Sequence, residues 1–134
     1  MPRSPQELYK KMAVDNGNKD SFHNKKLGAK GEAKARSYLK KNGWQILEKN
    51  YKNPFGEIDI IAKKGEVIAF IEVKTRLSDI FGLPSEAVTN MRKLRYIRGA
   101  NYYFINKIID CTVRFDIIEV FKDKINHIEN AFTE

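Results

Sequence analysis

The chain has 134 residues, enough for one ordinary domain with a hydrophobic core and too few for two comfortable ones. With 42% hydrophobic and 31% charged residues it has the balance of a soluble globular protein, and no apolar run approaches the roughly 20 residues that span a bilayer. Twenty-five basic residues against seventeen acidic ones leave a formal charge of +8, which suits an anionic partner such as nucleic acid or an acidic membrane surface, although charge alone serves solubility equally well.

The first residues, Met1-Pro2-Arg3-Ser4-Pro5, lack the apolar stretch of a signal peptide. The single cysteine, Cys111, cannot close an internal disulfide, and no cysteine and histidine cluster resembles a zinc site. The expected compartment is the cytoplasm. Ser4-Pro5-Gln6-Glu7 reads as the start of a short helix that Asp15-Asn16-Gly17-Asn18 ends, so residues 1–22 are a peripheral extension and residues 23–134 a single domain. Neighbouring His23 reads as a solvated residue.

From about Ser21 to Asn42 the pattern is helical and stops at Gly43, a left-handed cap. Leu27, Gly28, Gly31, Ala35, Tyr38 and Leu39 form one stripe, with Lys30, Lys34, Ser37, Lys40 and Lys41 opposite. Between Lys19 and Lys41 stand eight basic residues and two acidic ones, which moves the charge argument towards a polyanion. Glu32 sits at the rim of the small and apolar stripe, where it either points towards the packed sheet or pairs with Arg36 one turn on, a surface contact worth only ~0.2–0.5 kcal/mol.

Three extended segments follow, Trp44 to Tyr51, Glu57 to Lys63 and Glu66 to Lys74, separated by Asn53-Pro54-Phe55-Gly56 and Lys64-Gly65, and they read as a meander. The third has an unalternating run, Val67-Ile68-Ala69-Phe70-Ile71, which is how a strand covered on both faces looks, so it is expected at the centre of the sheet. After a loop from Arg76 to Pro84, Ser85 is the expected cap of a second helix to about Asn106. Its expected inner stripe is Met91, Leu94, Ile97, Ala100, Asn101 and Phe104, with Arg92 and Arg95 more exposed. Thr112 to Phe121 reads as a fourth strand and Lys124 to Glu129 as a fifth. The order α-β-β-β-α-β indicates an α/β sandwich, a central mixed sheet of about 4–5 strands flanked by helices.

Charges inside the two most apolar runs are the informative anomaly, because burying a charge costs several kcal/mol or more unless it is paired, hydrogen-bonded or bound to a metal. With Lys64-Gly65 as a two-residue hairpin loop, Asp59 falls opposite Phe70 and Glu57 opposite Glu72. Glu57, Asp59, Glu72 and Lys74 then share one face, with Asp59 and Glu72 as diagonal neighbours able to close on one ion. A divalent cation, Mg2+ or Mn2+, takes such oxygen ligands and can activate water and neutralise charge on a phosphate, with Lys74 placed to assist. The same residues also permit a plain salt-bridge network, with Glu57 and Lys74 paired across the hairpin.

The motifs Leu27-Gly-Ala-Lys-Gly-Glu-Ala, Gly43-Trp-Gln-Ile-Leu with Asn50-Tyr51, Gly56-Glu-Ile-Asp-Ile-Ile-Ala, Phe70-Ile-Glu-Val-Lys-Thr-Arg76, Phe81-Gly-Leu-Pro and Arg114-Phe-Asp116 together resemble the bacterial YraN-like family over about residues 24–121. That family is similar to the PD-(D/E)xK nucleases and to archaeal Holliday-junction resolvases. The resemblance implies a restriction-endonuclease-like sandwich and an active site of Asp59, Glu72 and Lys74 with Glu32 as a further acidic member, the three carboxylates as metal ligands. It also implies supporting roles for Glu57 and Arg76, in the metal shell or against phosphate. Where the fold's name has proline before the acidic residue, this chain has Ile58.

The leading expectation is a metal-dependent endonuclease that hydrolyses phosphodiester bonds in DNA, branched or otherwise structured DNA being suggested only by analogy. Lys25, Lys26, Lys30, Arg92, Arg95 and Arg98 are the expected contacts to backbone phosphates. Of Tyr96, Tyr102 and Tyr103, which could stack on unpaired bases, at least two are expected in the core. A symmetric cut of a four-way junction would need two sites and hence a homodimer. The competing expectation is a non-catalytic nucleic-acid-binding module with a structural acidic cluster.

Overall fold

The computed structural model describes residues 18–82 and 89–133, with side chains from Lys26 onward. The expected N-terminal helix, the Ser85 cap and the side chains of His23 and Lys25 lie outside the described residues. In chain order the elements are α1 (Asn18–Lys41), β1 (Gln45–Asn53), β2 (Gly56–Lys64), β3 (Val67–Thr75), α2 (Asn90–Tyr103), β4 (Thr112–Phe121) and β5 (Lys124–Phe132). The five strands form one mixed sheet in the order β1-β2-β3-β4-β5, in which β3 and β4 are parallel and the other neighbours antiparallel. A parallel pair needs a crossover, and α2 provides it.

Each helix covers one face of the sheet. Ala35 and Leu39 of α1 pack with Trp44, Ile60, Ala62, Ala69, Ile71, Ile118 and Val120. On the other face Tyr96, Ala100 and Tyr103 of α2 pack with Ile58, Ile61, Ile68, Phe70, Phe115, Ile117 and Phe132. Strand β3 is therefore central and buried from Ile68 to Glu72, as its unalternating apolar run requires. Gly43 ends α1 with a φ of +87°, the left-handed turn that glycine takes without a side-chain clash. No helix among the described residues is long and apolar enough to cross a membrane.

Two expectations are corrected. The β2–β3 ladder closes at Lys64↔Val67, so the hairpin loop is Gly65-Glu66, with Gly65 at φ +60° as its first residue. The last paired residues at the other end are Ile60 and Ile71, which brings Asp59 level with Glu72 instead of Phe70. From Ile60 to Lys64 every partner moves in step on both strands, so those side chains keep their faces, while beyond Ile60 the alternation of β2 breaks and the expected single face for Glu57, Asp59, Glu72 and Lys74 does not hold along β2.

The second correction concerns the phase of α2. Its buried residues are Tyr96, Gly99, Ala100 and Tyr103, whereas Met91 is 62% and Leu94 44% exposed and Asn101 faces solvent; of the expected stripe, Ala100 is buried and Ile97 and Phe104 are packed at the core margin. The helix approaches β2 so closely at Gly99 that an added Cβ would lie 2.9 Å from Ile58 Cδ1, which no larger residue permits without a shift. Tyrosine is large enough to fill the space beside that contact and carries a hydroxyl that can end on a polar group, so tyrosines and not Met91 and Leu94 set the inner face. Thr89 caps the helix, its side chain accepting from the Arg92 backbone N–H at 3.2 Å.

Candidate active site

Strand β2 loses its alternation at Asp59. Ile58 packs into the core under α2, whereas Ile60, two residues on, packs into the core under α1. On β1 the residue between the paired Lys49 and Tyr51 is Asn50, which has a φ of +50°. This irregularity frees Asp59 from both cores and turns its carboxylate along the sheet towards β3, where Oδ2 accepts a hydrogen bond from the Val73 backbone N–H at 2.8 Å. Tyr96, buried on α2, hydrogen-bonds the backbone of Asp59 from the other side. Burial raises the Asp59 carboxyl from 3.8 to about 7; the Val73 N–H opposes this, and the negative charges of Glu32, Glu72 and Glu57 add to it.

Glu72 lies on β3 on the face that α2 covers and is 4% exposed. Its Oε1 is 2.9 Å from Arg92 Nη1 on α2, and its buried Oε2 has no hydrogen-bond partner. Lys74, two residues on along the same face, has its ammonium lowered from 10.5 by burial; Glu72 and Glu119 hold it up, and Arg76 and Arg92 push it further down. Arg76 in turn donates from Nε to Glu119 Oε2 at 2.7 Å, and Glu119 also accepts from the Gly82 N–H and from Asn126. The expected supporting residue Arg76 therefore stands beside Lys74 and anchors the start of the following loop on a fully buried carboxylate.

Glu32 arrives from α1. The helix can approach the end of β3 because residue 31 is glycine: a methyl there would overlap the Thr75 hydroxyl, which donates to the Leu27 carbonyl. With its amide nitrogen turned towards the two acids, the orientation that satisfies both, the Asn50 side chain donates to Glu32 Oε2 at 2.9 Å and to Glu57 Oε1 at 3.1 Å, tying the acids together across three elements. Glu32 is raised from 4.5 by burial and by Glu57, with Arg36 and Asn50 opposing. Glu32, Glu57, Asp59, Glu72 and Lys74 thus belong to one electrostatic neighbourhood at the meeting of β2, β3 and both helices.

A hard divalent cation suits this set. The donors are all carboxylate oxygens, one buried oxygen is unpartnered, and the acids raise one another in a way that a positive ion would relieve. Among the described residues no three histidine, cysteine, aspartate or glutamate side chains converge into a ready-made cage.

Beside the acidic cluster a cleft of ≈ 200 Å³ is lined by Asn53, Gly56, Glu57, Ile58, Arg92, Arg95 and Tyr96. Arg95 lays its stem near Gly56, and the Arg98 guanidinium lies 5.9 Å from the centre of the Phe55 ring. The three expected arginines therefore line up from Glu72 to the β1–β2 turn. Lys26 and Lys30 are exposed on α1. Tyr96 and Tyr103 are core residues and Tyr102 is 41% exposed. Sequence reasoning gave Asn50 and Glu119 no part in the site and offered Tyr96 only as a residue of the core or a platform for unpaired bases. Asn50 had a legible signal, an asparagine inside a strand where few residues accept a positive φ; the partners of Glu119 come from distant segments and had none.

Family UPF0102, described as an uncharacterised protein family, matches residues 31–120. The chain is similar to a UPF0102 protein of Clostridium acetobutylicum, with 48% identity over 116 residues covering 81% of this chain and 95% of the relative. It is similar to one from Alkaliphilus oremlandii at 49% over 116 residues, covering 81% and 99%, and to one from Thermodesulfovibrio yellowstonii at 50% over 106 residues, covering 79% and 95%. The matched span runs from Gly31 and Glu32 through Asp59, Glu72 and Lys74 to Val120, and on that evidence the chain belongs to the UPF0102 family, the YraN-like family that its motifs resemble.

Proposed function

We propose that this chain is a divalent-metal-dependent nuclease that hydrolyses phosphodiester bonds in DNA. The observation that carries the reading is Glu72, a nearly buried carboxylate with one oxygen unpartnered, set beside Asp59 and Lys74. A purely structural acid so deep in the molecule would be expected to have both oxygens satisfied. Asp59 and Glu72 would hold Mg2+ or Mn2+, with Glu32 as a further ligand directly or through water. Such an ion, when bound, supplies an activated water and neutralises charge developing on the phosphate.

The protein's own groups do the rest. Asn50 holds Glu32 and Glu57 in place, and the Val73 N–H fixes the direction of the Asp59 carboxylate. Lys74 orients the attacking water and donates to a phosphate oxygen, its low-lying ammonium making proton exchange easier. Arg95 in the cleft and Arg98 beside the β1–β2 turn grip the DNA backbone with little sequence preference. Symmetric cutting of a branched DNA would require two copies of the chain.

One observation favours a second reading: Glu72 already has a counter-ion in Arg92, so the cluster could be a static ion-pair network inside a DNA-binding module. The deciding experiment is cleavage of labelled single-stranded, duplex and four-way-junction DNA with magnesium, manganese or chelator, beside Glu72→Ala and Lys74→Ala. The nuclease reading requires metal-dependent cutting that both substitutions abolish while DNA affinity persists. Salt-dependent binding without cutting under any metal would leave the binding module.

A further inference from the structure

Sequence reasoning assigned Arg92 to DNA phosphate, yet its guanidinium sits on Glu72. The two side chains differ sharply in exposure, 55% for Arg92 and 6% for Glu72, so the arginine lids a carboxylate that is otherwise interior. Its backbone is anchored in the first turn of α2, where the Arg92 N–H donates to Thr89 Oγ1 at 3.2 Å. The guanidinium therefore reaches Glu72 from a capped helix and not from a loop. It engages Oε1 at 2.9 Å and leaves Oε2 buried and unpartnered.

A glutamate carboxylate turns broadly about its terminal torsion. Pinning one oxygen leaves the other a single direction, and carboxylates that ligate metals are commonly held by a hydrogen bond on the oxygen turned away from the ion. We infer that Arg92 is a positioning residue of the metal site, fixing Glu72 through Oε1 so that Oε2 is the oxygen presented to the cation. This inference rests on the metal-site reading proposed above. The guanidinium has five donors, and its exposed part borders the cleft shared with Arg95, so the same side chain links the metal ligand to the surface where a phosphate would lie.

Charge and positioning predict opposite signs, which makes the inference testable. Removing a positive charge next to a cation site would by Coulomb's law alone strengthen cation binding. Removing a residue that orients a ligand weakens it, by about 10–100-fold in typical metal sites. The test is Mn2+ titration followed by electron paramagnetic resonance at pH 8, on the full chain and on Arg92→Gln, Arg92→Lys and Glu72→Ala, each checked for folding by circular dichroism.

The expected result is Mn2+ binding weakened by about 10–100-fold in Arg92→Gln and by less in Arg92→Lys, which keeps the charge but loses the planar fork. Unchanged or tighter binding by Arg92→Gln would overturn the inference and make Arg92 a competing counter-charge. Should the glutamine variant fail to fold, the lysine variant decides alone, since unchanged affinity there contradicts positioning. Failure of the underlying metal reading has a different signature: wild type that binds no Mn2+, or Glu72→Ala that binds it as well as wild type, removes the site and the role of Arg92 with it.

Discussion

Asp59 should make the metal-free protein less stable at neutral pH than it would be without that charge. Its carboxyl ionises near pH 7 in the folded chain and at 3.8 in an unperturbed one, because it is buried among other acids. At about 1.36 kcal/mol per pH unit, that interval corresponds to about 4 kcal/mol. The folded state holds the proton more tightly, so the stabilising contribution is fully present below 3.8, declines as pH rises, and is lost once pH passes about 7. Asparagine is nearly isosteric, retains an acceptor for the Val73 N–H and carries no charge. Asp59→Asn is therefore expected to match wild type near pH 4 and to exceed it by about 2–4 kcal/mol at pH 8, roughly 6–15 °C in Tm. Urea denaturation with a chelator present, repeated from pH 4 to pH 8, measures the gap directly. Magnesium or manganese should then close it by stabilising wild type alone. A gap independent of pH, or a variant less stable than wild type at pH 8, would refute the reasoning.

Three further outcomes follow from other contacts. Gly31→Ala should cost about 1–3 kcal/mol by forcing α1 off the Thr75 hydroxyl, and Thr75→Ala should relieve most of that loss in the double variant, as a denaturation cycle would show. Asp116→Ala should cost about 3–5 kcal/mol, because it takes from the enclosed His127 side chain and the partly exposed Arg114 the acid they share. Burial raises the Asp116 carboxyl, but hydrogen bonds from His127, Arg114 and the Asn130 N–H outweigh it and hold the group below 3.8; its contribution is full above that value and fades as pH falls beneath it, so acid denaturation of wild type and variant should converge. Arg95→Ala and Arg98→Ala should each weaken DNA binding about equally for all sequences and reduce the salt dependence by about one counterion, measured by fluorescence anisotropy at several salt concentrations.

Much of the fold was legible because it rests on local patterns. The unalternating run from Val67 to Ile71 marked the central strand, Gly43 marked the end of α1, and Thr112–Phe121 was readable as a strand from its apolar run. The hairpin register failed by one residue per strand because Gly65 serves either position of a two-residue loop, and nothing local chooses between them. The phase of α2 failed because it is set by a close approach at Gly99 to a strand some forty residues earlier, against which Met91 and Leu94 have no vote. Asp59, Glu72 and Lys74 stood out as charges in apolar runs. Arg92 looked like an exposed cation because its partner, Glu72, lies in a different element and is reached only through the tertiary fold.

Among the described residues three carboxylates are buried, Asp116, Glu119 and Glu72, and they are satisfied unequally. Under α1, Asp116 is wholly enclosed but accepts from Arg114 Nε at 2.9 Å, Arg114 Nη2 at 2.8 Å and the Asn130 N–H at 2.9 Å, and its Oδ2 lies 2.7 Å from His127 Nε2, itself 3.1 Å from the Tyr38 hydroxyl. That network ties α1, β4 and β5 together with every carboxylate oxygen in use, and it holds its acid ionised. On the other face Glu119 is likewise satisfied, by Arg76, the Gly82 N–H and Asn126, whereas Oε2 of Glu72 has no partner and Asp59 is driven towards its neutral form. A chain able to satisfy one buried carboxylate four times over is not short of donors by accident of composition, since it carries 25 basic residues. Among the described residues Glu72 Oε2 is the one buried side-chain polar atom left without a partner, a local deficit that the proposed cation would relieve.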